Sequence, residues 1–143
     1  MENKYYAPTI NEFYEGFEFE LQTVCDFGKS KDPRGYEVTT SLVAWIDQTF
    51  ILNYHNSIIK KALENNVVRV KYLDEQDIKS LGFKEDVYNG VKCFTKNNCQ
   101  IFFFGDNVIS IDLFSGNFRN QYFRGLVKNK SELKRLLNQL NIL

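Results

Sequence analysis

Glu18 and Glu20 stand two apart in an alternating segment. Side chains at i and i+2 of a strand share one face and lie about 7 Å apart. Paired carboxylates at that distance can hold a divalent cation or divide acid and base roles. Any solvated strand face has the same spacing, and no further metal or nucleotide residues accompany the pair, so the solvated face is the stronger reading. Gly28-Lys29-Ser30 echoes the end of a phosphate-binding loop. That loop needs a glycine where Thr23 stands, and Pro33 and Gly35 deny it a following helix. His55 is the sole histidine, and Cys93 and Cys99 lack the paired spacing of a zinc ribbon. A Cys-His nucleophile pair would have to meet in space rather than in sequence. No catalytic set results: the chain reads as a non-enzyme, with no cofactor and no metal.

A broader candidate is a surface made of Lys92, Phe94, Lys96, Arg119, Tyr122, Phe123, Arg124 and Lys128. Sheets that bind single-stranded nucleic acid combine stacking aromatics with phosphate-contacting cations. Exposed aromatics with arginine serve equally as a protein-binding hot spot. Core packing alone accounts for many strand aromatics, no RNP-type motif is present, and the net charge is zero, with 18 basic against 18 acidic residues. A protein partner is therefore the first expectation. Nucleic acid, a sequestered nucleotide in an aromatic-lined pocket, or a second copy of the chain are the alternatives.

The elements that position these residues follow from pattern. Strands over 91–95 and 100–104 flank the turn-rich Lys96-Asn97-Asn98. Ile101 to Phe104 is apolar at every position, which fits a central strand covered on both faces. In 108–114, Ile109, Ile111 and Leu113 alternate with Ser110 and Asp112, which predicts one buried and one wet face. A last strand covers 118–127, and Leu133, Leu136, Leu137 and Leu140 mark one face of a helix capped by Ser131.

Earlier in the chain, Thr9 and Glu12 form a capping-box pattern. A strand over 17–25 places Phe17, Phe19 and Leu21 on one side. A polar loop over 26–35 ends in the turn Asp32-Pro33-Arg34-Gly35, and 36–44 returns beside the first strand. Asp47 is the expected N-cap of a helix carrying Phe50, Ile51, Tyr54, Ile58, Ala62 and Leu63 and stopped by Asn65-Asn66. After a strand over 67–73, Asp74 caps a short helix with Leu73 and Ile78 as a hydrophobic staple and Gly82-Phe83 as its stop.

A chain of 143 residues with 43% hydrophobic and 15% aromatic content can bury a substantial core. It is expected to form one domain over 1–143. No run approaches the roughly 20 apolar residues that span a bilayer, and no signal-peptide hydrophobic region follows Lys4, so a cytoplasmic protein with no membrane partner is expected. Three cysteines are no disulfide framework and read as buried thiols. Charge is uneven: residues 1–28 hold six acids against Lys4, whereas after Ser115 six cations face Glu132 alone.

Tyr5-Tyr6-Ala7-Pro8-Thr9-Ile10-Asn11-Glu12-Phe13 with Gly16-Phe17-Glu18-Phe19-Glu20, then Arg69 to Ile78 with Leu81-Gly82-Phe83, and Lys128 to Leu133, resemble small uncharacterised proteins of gut Bacteroidetes and their phages. The resemblance spans most of the chain in three blocks. It implies a phage or mobile-element accessory protein and brings no activity or site residues. The combined expectation is an α+β fold: an antiparallel β-sheet meander of five to seven strands with two or three helices packed on one face, acting as a binding module.

Overall fold

The computed structural model describes residues 4–143, with side chains other than those of 24–30 and 38–42. It is an α+β structure with antiparallel sheets and, among the described residues, three α-helices. The strands divide between two sheets where one is expected, and the contacts gather in two compact units, Met1–Val70 and Lys71–Leu143. No helix of the described residues is long and apolar enough to cross a membrane.

The first unit orders four strands β1-β4-β2-β3: β1 (Tyr5–Tyr6), β2 (Glu18–Lys31), β3 (Glu37–Thr49) and β4 (Val68–Lys71). A 3-10 turn at Ile10–Glu12 follows Thr9, whose backbone N–H donates to Glu12 Oε2 at 2.7 Å, as the capping pattern predicts. The loop expected over 26–35 is a correction: β2 runs through Lys31, and only the turn at Asp32 remains. There Asp32 Oδ1 accepts from the N–H groups of Arg34 and Tyr36. Polarity misled the expectation, because a long two-stranded ribbon tolerates polar residues on both faces.

α1 (Leu52–Glu64) begins later than expected. Asp47 is not its N-cap but a residue of β3 opposite Glu20. The helix start is served from its side, since Leu52 N–H donates to Glu15 Oε2 at 2.7 Å and Ile51 N–H to His55 Nδ1 at 2.9 Å. Of the expected apolar set, Phe50, Ala62 and Leu63 lie in or against the core, whereas Ile51, Tyr54 and Ile58 are exposed and His55 and Ile59 are buried instead. Ile59 joins Phe17, Phe19, Phe50, Val68 and Val70 in the core of this unit.

The second unit orders its five strands as they follow in the chain: β5 (Lys84–Tyr88), β6 (Val91–Lys96), β7 (Cys99–Phe103), β8 (Val108–Ser115) and β9 (Phe118–Leu126). The sequence reading missed β5, although Asn89-Gly90 is the strongest short hairpin signal. Both residues adopt the left-handed backbone that such a turn demands, with φ of 50° and 78°. α2 (Glu75–Ser80) has the predicted Asp74 cap, with Asp77 N–H donating to Asp74 Oδ1 at 3.0 Å, and Leu73, Ile78 and Phe83 are all buried. α3 (Lys130–Gln139) is capped by Asn129, whose Oδ1 accepts from Glu132 N–H at 2.9 Å. Ser131, the expected cap, lies buried in the first turn instead. Ile78, Leu133 and Leu137 pack with Phe94, Ile101, Ile109 and Ile111, so α2 and α3 cover one face of the sheet.

Gly82 joins the end of α2 to β5 with φ of +93°, and a Cβ there would lie 3.1 Å from Lys96 Nζ. That ammonium donates to Leu81 O at 3.0 Å, holding a carbonyl at the helix end. Gly82→Ala is expected to lower stability by about 1 kcal/mol or more, from backbone strain and displacement of Lys96. Urea unfolding measures it; an unchanged midpoint would show that the turn relaxes freely.

Candidate binding face of the C-terminal sheet

Strand register sorts the predicted site residues by face. Phe94 pairs with Ile101, Ile101 with Ile111, and Ile111 with Phe123, so this row lies on the side of α2 and α3. Phe94 is buried in the core, and Phe123 packs against it. Lys92 shares that side and bonds Glu75 at 2.7 Å, while Lys96 serves the end of α2. The next row, Thr95, Gln100, Asp112 and Gln121, points the other way, as do Phe102, Ser110 and Arg124. Of the seven residues singled out besides Lys96, only Arg119 and Arg124 therefore gather on this second face. Tyr122 is the extra residue of a bulge between the pairs Ile111–Phe123 and Asp112–Gln121, and Lys128 lies beyond β9.

The second face is built around Arg119. Its Nε donates to Asp112 Oδ2 at 2.6 Å, and its Nη2 forms an ion pair with the same oxygen. The guanidinium lies over the rings of Tyr88, Phe102 and Phe114, with its carbon 4.5, 4.8 and 5.7 Å from their centres. Such cation–π contacts strengthen when water is excluded. Ser110 Oγ donates to Asp112 Oδ1 at 3.3 Å, and Gln121 Nε2 donates to Ser110 Oγ at 2.9 Å. The expectation of a wet face for Ser110 and Asp112 is thus corrected: both are buried, beneath the longer side chains around them. Arg124 sits over Phe104 at 5.3 Å, and Phe104 stacks on Phe102.

These side chains surround a depression of about 330 Å³, lined by Tyr88, Val91, Phe102, Phe104, Asp112 and Arg119 among others. Its floor is polar and internally satisfied, and its rim is apolar and exposed. Nearby, Gln100 Nε2 donates to Cys93 Sγ at 3.0 Å, while Gln100 Oε1 is buried without a hydrogen-bond partner. Sequence reasoning named the arginines but missed Tyr88, Phe102, Ser110, Asp112 and Gln121. The Asn89-Gly90 hairpin would have placed Tyr88, and an acid inside an otherwise β-forming run, Asp112, is itself the signal of a buried partner.

The other chemical candidates resolve into structural roles. Glu20 accepts from Arg69 Nε at 2.6 Å, and Arg69 lies between the rings of Tyr5 and Trp45 at 3.7 and 4.2 Å. Lys71 Nζ bridges Asp74 Oδ2 at 3.0 Å and Asp77 Oδ1 at 2.9 Å beside the start of α2. Cys93 and Cys99 are buried free thiols; burial pushes Cys99 up to about 12, with the nearby Asp112 charge adding to it. Cys25 and the Gly28-Lys29-Ser30 segment lie outside the described side chains. Among the described residues no three His, Cys, Asp or Glu side chains gather as a metal site. The chain matches no family model, no curated protein and no solved structure.

Because Asp112 is buried and paired with Arg119, removing Arg119 costs folding stability as well as a surface cation. Arg119→Leu strands the carboxylate and is expected to cost about 3 kcal/mol, the low end for a broken buried pair because the guanidinium is partly exposed. The double change Arg119→Leu with Asp112→Leu should recover most of that loss in urea unfolding. If single and double variants lose equally, the stranded charge is not the cause. In a Cys25→Ser background, Cys93 and Cys99 should resist iodoacetamide at neutral pH until urea unfolds the protein, since the thiolate is the reactive form. Rapid alkylation of the folded protein would contradict their burial.

Proposed function

We propose that this protein is a non-enzymatic binding module whose docking surface is the face of the C-terminal sheet turned away from α2 and α3, and whose partner is another protein. The observation that carries this reading is the composition of that face. Tyr88, Val91 and Phe104 are 36, 50 and 53% exposed, yet they line the same depression as an arginine held rigidly by a buried carboxylate and aromatic rings. Pre-positioned Arg and aromatic groups in a concave, apolar-rimmed site are the usual make-up of a protein hot spot. An apolar side chain of the partner would enter the depression, and the strand edge of β9 would lie beside it.

A nucleic acid finds less to hold. Arg119 is already neutralised by Asp112, Lys92 belongs to the opposite face, and a polyanion needs several cations on one surface. A sequestered nucleotide meets the same shortage of charge. A role as a phage or mobile-element accessory protein rests on the sequence resemblance alone and is compatible with such a module.

The test is photo-crosslinking in host cells with a benzophenone amino acid at Val91, on the rim of the depression, and at Tyr54, exposed on α1, as control. A discrete protein adduct is expected at Val91 and not at Tyr54, and Phe104→Glu should abolish it. Adducts equal at both positions, adducts to nucleic acid, or none at Val91 would overturn the reading.

A further inference from the structure

A second cavity, of about 320 Å³, lies within the first unit between α1 and β2. Phe19, Leu21, Ile58, Ala62 and Val67 give it apolar walls. His55, Ile58 and Ala62 of α1 and its C-cap Asn65 fall at i, i+3, i+7 and i+10, along one side of the helix, and all four line this space. Its volume is at the lower end of the range that small ligands occupy, which starts at about 300 Å³.

His55 gives the cavity a directed polar group. The residue is only 4% exposed, and its Nδ1 accepts the Ile51 N–H at 2.9 Å. An imidazole nitrogen that accepts a hydrogen bond carries no proton, so the ring proton of the neutral side chain resides on Nε2. Among the described residues Nε2–H has no hydrogen-bond partner, and it is not one of the atoms sealed from solvent. The space that this ring lines is the cavity. With its tautomer fixed and no acceptor among the described residues, this donor is open to an acceptor that enters from the solvent-reached side. Lys61 lines the same cavity, is exposed, and has no carboxylate within ion-pair distance among the described residues.

We infer that this cavity binds a small amphiphilic carboxylate of the kind exemplified by a medium-chain acyl acid. Its apolar body lies between α1 and β2, one carboxylate oxygen accepts from His55 Nε2–H, and Lys61 supplies the counter-charge. The apolar walls select the tail. The Nε2–H donor and the unpaired cation together favour an anionic head over an alcohol, because hydrogen bonds and ion pairs strengthen at the edge of an apolar site. A peptide strand fits less well, since it would bring several backbone groups against walls that hold few polar partners. The site is independent of the protein-docking face, so either proposal can fail without the other.

Decanoate and decanol, added separately to the full-length protein, provide the test. Calorimetry gives their affinities, and NMR of isotope-labelled histidine follows the Nε2–H directly, which avoids replacing a residue that also serves the start of α1. Decanoate is expected to bind about tenfold more tightly than decanol and to move the Nε2–H resonance downfield. Lys61→Ala, an exposed change that leaves the fold in place, should erase most of that advantage while leaving decanol binding unaltered. Equal affinity for the two probes, an unmoved Nε2–H resonance, insensitivity to Lys61→Ala, or no binding of decanoate would each overturn the inference.

Discussion

A sheet strand that is apolar or buried on both sides needs two covers. In β7 the residues from Cys99 to Phe102 are all buried, and only one side of them meets α2 and α3. The second cover is made by the sheet itself: Arg119, Tyr88, Phe104 and Gln121 fold over Gln100, Phe102, Ser110 and Asp112. Arg119 can do this only because Asp112 balances its charge and the aromatic rings accept its flat faces. An arginine suits this duty better than a lysine, whose compact ammonium neither stacks nor forks. The stability of the unit and the shape of its exposed face thus rest on the same contact.

Much of the fold was legible in the sequence. The Asp74 cap, the Leu73–Ile78–Phe83 apolar set, the Asn97-Asn98 turn and the leucine stripe of α3 are local signals, and each appears where periodicity and capping chemistry put it. The two misplaced caps differ in cause. At α3 a local rival two residues earlier, Asn129, takes the place of Ser131, whereas Asp47 is passed over because the α1 start is served by Glu15 from 37 residues away in the chain and by His55 from inside the helix. Capping propensity ranks neighbours and is blind to partners that arrive through tertiary structure.

The candidate face was only half legible for a related reason. Period-two alternation separates the faces of a strand but does not say which face will be covered, or by what. Ser110 and Asp112 looked solvated because polar residues in alternation usually are. Phe94 and Phe123 looked available for stacking because aromatics suit both cores and interfaces. Register decides these cases: Phe94 stands opposite Ile101, which fixes its side, whereas the bulge at Tyr122 keeps Gln121 and Phe123 on opposite faces although they are two apart.

The order of strands in the two sheets carries a consequence for how the chain reaches its native state. In β5-β6-β7-β8-β9 every strand pairs with its immediate predecessor, through turns such as Asn89-Gly90 and Gly116-Asn117. Short loops close quickly and at small entropic cost, so such a meander can zip from any hairpin outward. The first unit must instead bring β4 back to β2, with the Glu20–Arg69 pair closing a separation of 49 residues across a long ribbon and α1. Of two units similar in size, the C-terminal one has the topology of the faster folder, and on a ribosome it is the half that emerges last.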